Sequence, residues 1–179
     1  MLLNIICFQL GWFACVLGAA HQHPWLGVLI AIFLLALHIF RSNNSIVEIR
    51  LILLAIIFGL LFDLIPLSLG WIKFEQVVFW PSPLPPPWMI CLWGLFASTL
   101  NISLNWLKSK PWTAFILGAI SGPLCYWAGY QLNALIFVNF NYAMLYLMLG
   151  WAVAVPFLLN LASSNDLLKR LFLFSTKGS

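Results

Sequence analysis

Charge is scarce in this chain of 179 residues: eight Lys or Arg and four Asp or Glu, 7% of the whole. A water-soluble domain needs a polar surface over its core, so a soluble monomer is excluded. Long polar tracts are missing as well, which leaves no room for a second, soluble domain. The four cysteines (Cys7, Cys15, Cys91 and Cys125) show no close CxxC spacing, so they read as small buried hydrophobes. Histidine is equally sparse. His21 and His23 share one turn, while His38 falls some 30 Å away in depth, so no metal site is expected. There is no Gly-rich phosphate loop and no Gly-x-Ser-x-Gly elbow, hence no catalytic residue and no cofactor to assign. A net charge of +4 is too small to point to nucleic acid and fits contact with anionic headgroups.

What the chain has instead is apolar length. It is 64% hydrophobic, and its mean hydropathy is +1.04. Six apolar stretches have the roughly 20-residue length that a helix needs to cross about 30 Å of hydrocarbon. They lie at about 2–20, 25–40, 49–70, 88–107, 112–130 and 142–161. The expected fold is an all-α polytopic membrane helix bundle of six transmembrane helices, a single integral-membrane domain over 1–179. Basic residues sort by side. Arg41, Arg50, Lys108, Lys110, Lys169, Arg170 and Lys177 fall on one side and only Lys73 on the other. The positive-inside rule then places both termini in the cytoplasm. Leu2 to Ala20 lacks the basic n-region of a signal peptide and reads as a retained span.

The connections are short, with one exception. Trp71 to Pro87 carries Trp71, Phe74, Phe79 and Trp80, then five prolines before Trp88. Prolines enforce an extended path and aromatic rings favour the headgroup layer, so a stiff strap across the outer face is expected. Gln131 to Asn141 has an apolar centre, Ala134 to Val138, that either dips into the interface or extends its neighbours. The tail, 163–179, reads as a short cytoplasmic interfacial helix. Ser163 or Ser164 would cap it, Leu167, Leu168, Leu171 and Phe172 would face lipid, and Lys169 and Arg170 would meet anionic headgroups.

One acid lies deep in a span. Asp63 falls ~19 Å from the cytoplasmic end of the third stretch, where a carboxyl must face the bundle interior, reach water or take up a proton. Pro66, three residues on, has no N–H for the carbonyl of Phe62. A carboxyl beside a freed carbonyl is how broken helices build cation and proton sites. A bond from that carboxyl to a neighbouring helix would serve equally well as glue. Both readings stay open. Gly94, Ser98, Asn101 and Asn105 recur at helical spacing and make a polar face of the fourth span. Gln9 and Ser121 lie at similar depth, and Tyr126 near that of Asp63. Asp63, Asn101, Gln9 and Tyr126 therefore form the candidate intramembrane polar site, a cavity open to the cytoplasm with Asp63 near its blind end. Packing of small polar residues explains the same stripe. Pro66, Pro123 and Pro156 are candidate helix breaks, and Gly118 with Gly122 a small-xxx-small packing pair.

Four blocks of residues carry a resemblance: Phe8 to Cys15, Gly59 to Asp63, Thr99-Leu100-Asn101 with Ser103-Leu104, and Gly122-Pro123-Leu124. Together they resemble a bacterial family of short inner-membrane proteins, domain-of-unknown-function family 2878, over nearly the whole chain. The resemblance implies a bacterial inner-membrane location and a lipid-linked role, and it brings no established activity. It picks out Gln9, Trp12, Asp63, Asn101 and Pro123. Three functions compete. The first is a small carrier or lipid-handling protein with a pocket around Asp63. The second is a non-catalytic subunit or scaffold packing against another membrane protein. The third, disfavoured because a lone carboxyl lacks a base, nucleophile or metal, is a lipid-modifying enzyme. The expected partners are the bilayer and a lipid, small molecule or membrane protein.

Overall fold

The computed structural model describes residues 1–75, 77–81 and 83–175, the last eleven as backbone alone. Six α-helices run through it: α1 (Leu2–Ala20), α2 (Pro24–Arg41), α3 (Ser45–Ser68), α4 (Pro87–Leu100), α5 (Pro111–Gln131) and α6 (Phe140–Ser175). Proline occupies the first turn of α2, α4 and α5, where its missing N–H costs nothing and its fixed φ is already helical. Asn44 caps α3 by accepting from the Val47 N–H at 3.3 Å.

By length and composition α1, α2, α3 and the Phe140–Ser164 part of α6 are able to cross a membrane. Six such helices were expected; four meet the measure. α5 reaches the length, but Pro, Gly, Ser, Tyr and Gln dilute its apolarity. α4 differs more. It stops at Leu100, fourteen residues long, and gives way to turns and a short 3-10 turn at Asn105–Leu107. Asn101 spends its side chain on groups from other segments, and the Thr99 carbonyl accepts from both Ile102 and Leu104. Gly94, Ser98, Asn101 and Asn105 therefore do not share one helical face.

α1 and α2 form a tight hairpin through Gly18 and Gly27, and a Cβ at Gly27 would overlap the Ala14 carbonyl and Cys15 Cα. α4 packs against α1, α2 and α3, and α5 packs on α6. At the opposite end from Met1, β1 (Ile72–Lys73) pairs antiparallel with β2 (Ile136–Phe137), Ile72 facing Phe137. This pairing binds the two long connections together. Ala134 and Leu135 are buried beneath it. The proline-rich segment is tied down by Trp80, whose Nε1 donates to the Pro85 carbonyl at 2.9 Å and whose ring meets Trp25 edge-on.

The core is strongly aromatic. Trp93 of α4 stacks on Trp151 of α6, ring centroids 4.8 Å apart and planes 11° apart. Phe58 and Phe62 of α3 close on Trp93 from the side. The outward faces are apolar too: Leu29, Phe33 and Val153 are each more than 60% exposed. An all-helical bundle with apolar faces turned outward has the character of a membrane protein. The separate tail helix expected from Ser163 is instead the continuation of α6. The Ser163 and Ser164 hydroxyls donate back to Leu159 and Asn160 carbonyls rather than capping a new start. The lipid-facing positions assigned beyond residue 164 lie outside the described side chains.

Candidate functional site

Asp63 sits in the C-terminal third of α3, 2% exposed, and both of its carboxyl oxygens are engaged. Trp93 Nε1 donates to Oδ2 at 2.8 Å, and the Tyr126 hydroxyl donates to Oδ1. One acid thereby ties α3 to α4 and α5. The carbonyl of Phe62, freed by Pro66, accepts from the Tyr146 hydroxyl of α6 at 2.8 Å. The carboxyl and the freed carbonyl thus each have protein partners, which is a closed hydrogen-bonded knot. It is built where the rings are thickest, because Gly59 and Gly122 leave room for Trp93 and Trp151.

Beside the knot lies a cavity of about 350 Å³. α1 supplies Phe8, Gln9 and Trp12, α4 supplies Trp93, and α5 supplies Ser121 and Tyr126. Gln9, Ser121 and Ile5 at its rim are exposed, so it opens sideways between α1 and α5. Its only buried side-chain polar atom lacking a partner among the described residues is Trp151 Nε1. Tyr126 and Trp93 form the wall between the cavity and Asp63, which itself lines neither this space nor the next one.

Asn101 is elsewhere. At the N-terminal end of the bundle its Nδ2 donates to Glu48 Oε1 at 2.8 Å, and its Oδ1 accepts from Lys108 Nζ at 2.7 Å. The other Glu48 oxygen meets His38 Nε2 at 3.0 Å. This chain links α2, α3 and the segment after α4. It borders a second cavity of about 520 Å³. Nearby, the Asn4 amide donates to the Ser98 carbonyl at 3.1 Å, and the Ser103 hydroxyl donates to Asn4 Oδ1. That seam, where α1 meets α4, stands between the two cavities.

Of the four candidate residues, then, Asp63 and Tyr126 meet, Gln9 faces the cavity behind Tyr126, and Asn101 belongs to a separate cluster. One cytoplasm-facing cavity with Asp63 at its blind end becomes two cavities and a knot. Ser98 and Thr99 hydroxyls bond to their own helix at Leu95 and Phe96. Glu48, His38 and Lys108 were missed as site residues because each was assigned to a connection or a helix end. One signal was available: Glu48 in the first turn of α3 follows His38 by ten residues across a short polar turn. Among the described residues no group of three His, Cys, Asp or Glu side chains is placed to hold a metal ion.

No curated protein and no solved structure matches this chain. A family model described as "Protein of unknown function (DUF2878)" matches residues 1–157. A match over that much of a 179-residue chain settles the relationship: the protein belongs to the DUF2878 family.

Proposed function

We propose that this protein is a small lipid-handling membrane protein that takes an apolar chain or ring sideways into the cleft between α1, α4 and α5. The cleft itself carries the reading. Its volume falls in the range of small-molecule sites, about 300–1,000 Å³, and its lining is mostly aromatic and aliphatic with a few placed polar groups. It opens on a flank whose neighbours are exposed apolar side chains, so a bilayer lipid reaches it without crossing water. In this reading Asp63 orients the wall: its two hydrogen bonds hold Trp93 and Tyr126 against the cleft.

Ser121 gives a clean test, because it lines the cleft and is exposed. Ser121→Trp fills the opening. Native mass spectrometry from lipid nanodiscs is expected to show a bound lipid or apolar metabolite on the wild type, and about tenfold less on the variant. Equal adducts on both would overturn the cleft reading. Bare protein that co-purifies with another membrane protein in both samples would favour a packing subunit.

The same reading places the protein in a bacterial inner membrane, crossing six times with both termini in the cytoplasm. Seven basic residues against one support that orientation. α4 would cross partway as a helix and complete the depth with the turns that follow it. A reporter enzyme fused after Ser179 is expected to be active only in its cytoplasmic form; activity of a periplasm-dependent reporter there would refute the orientation.

A further inference from the structure

The second cavity, at the N-terminal end of the bundle, has a different chemistry from the cleft. Its carboxylate is already spent, since both Glu48 oxygens are taken, by Asn101 and by His38. What remains unengaged is rich in donors. Among the described residues the side chains of Arg41, Asn43 and Asn105 make no ion pair or hydrogen bond. Lys108 donates to Asn101 and so helps to fix it at the cavity's edge. Arg41 is thus a permanent cation with no carboxylate beside it among the described residues. The first turn of α3, capped by Asn44, turns its partial positive charge the same way.

A hollow that offers an unpaired guanidinium and two amides and is bordered by Leu34 and Leu37 calls for an acceptor-rich anion with an apolar continuation. We infer that this cavity is a binding site for a phosphate-bearing group, gripped by Arg41 with the Asn43 and Asn105 amides beside it. Arg41 supplies the fork of donors that matches phosphate oxygens. His38 and Asn101 take up the Glu48 carboxylate, so it does not compete with an anion for Arg41, and Lys108 holds Asn101 in turn. The site stands apart from the cleft, across the seam of Asn4, Ser98 and Ser103.

The test compares dioleoyl phosphatidic acid with dioleoylglycerol, which has the same chains and no phosphate, on the full chain in detergent by native mass spectrometry. Phosphatidic acid is expected to be retained at least about tenfold more than the diglyceride. Arg41→Gln is expected to remove most of that difference, because Arg41 is exposed and its replacement leaves the fold intact. Arg50→Gln, an exposed cation of α3 outside the cavity, is expected to change nothing. Ser121→Trp is expected to leave phosphatidic acid bound, so failure of the cleft and failure of this site read separately. Inorganic phosphate at millimolar concentration, if it displaces the lipid, assigns the site to free phosphate; if the lipid persists, to a headgroup. Equal retention of both lipids would refute the site, and so would an equal loss in Arg41→Gln and Arg50→Gln, which would mean surface charge alone.

Discussion

Replacing Asp63 with Leu lowers the thermal midpoint in detergent by roughly 6–12 °C, equivalent to about 3 kcal/mol. The loss comes from what the carboxyl leaves behind. Trp93 Nε1 and the Tyr126 hydroxyl both donate to it, both residues are buried, and neither has another acceptor. A donor orphaned away from water costs about 1–3 kcal/mol. Hydrogen bonds between membrane helices average only about 0.6 kcal/mol, since the unfolded chain also finds partners. Here two donors lose one shared acceptor at once, which places the effect above that average. Asn is expected to be far milder, within about 1 kcal/mol. Its carbonyl keeps the Trp93 N–H, and its amide donates to Tyr126, whose hydroxyl turns from donor to acceptor. Adding Tyr126→Phe to Asp63→Leu removes one orphan and is expected to recover part of the loss, a coupling that a double-mutant cycle measures. If Asn costs as much as Leu, the negative charge itself is required and the knot is more than a structural tie.

How much of this was visible beforehand follows from what one-dimensional patterns carry. Apolar length marks helices by itself, so the six helical segments were legible. Asp63 stood out because a lone acid in an apolar run is costly wherever it points. Its pairing with Tyr126 was legible only as equal depth. Rotation of each helix about its axis decides contacts, and no single chain states that rotation. Asn101 shows the limit. On an ideal helix it shares a face with Ser98, yet α4 ends one residue earlier and the Asn101 side chain bonds Glu48 and Lys108 together. The carbonyl freed by Pro66 looked like an open ligand, and Tyr146, eighty-four residues away in sequence, fills it. Long-range partners of this kind leave no local trace.

Gly59→Ala and Gly122→Ala are expected to lose about 2–3 kcal/mol each, read as midpoints lowered by several degrees, while Gly94→Ala is close to neutral. All three changes add one methyl to a helix and gain up to about 1 kcal/mol of helix propensity. What differs is the neighbour. A Cβ at Gly59 would overlap the ring of Trp93, and one at Gly122 the ring of Trp151. Those rings are stacked on each other, and Trp93 is further held by Phe58, Phe62 and the bond to Asp63. Neither indole is able to retreat without breaking a second contact, so the strain exceeds the propensity gain. At Gly94 the nearest atom is Leu35 Cδ1 at 3.1 Å, the far end of a flexible side chain that yields by a rotamer change. Displacing Trp93 also moves the wall between Asp63 and the cleft. Gly59→Ala is therefore expected to weaken adduct retention in the cleft as well as stability, and Gly94→Ala to affect neither. If all three alanines prove equally tolerated, the tryptophan pair is loosely packed, and the cleft wall owes its position to Asp63 alone.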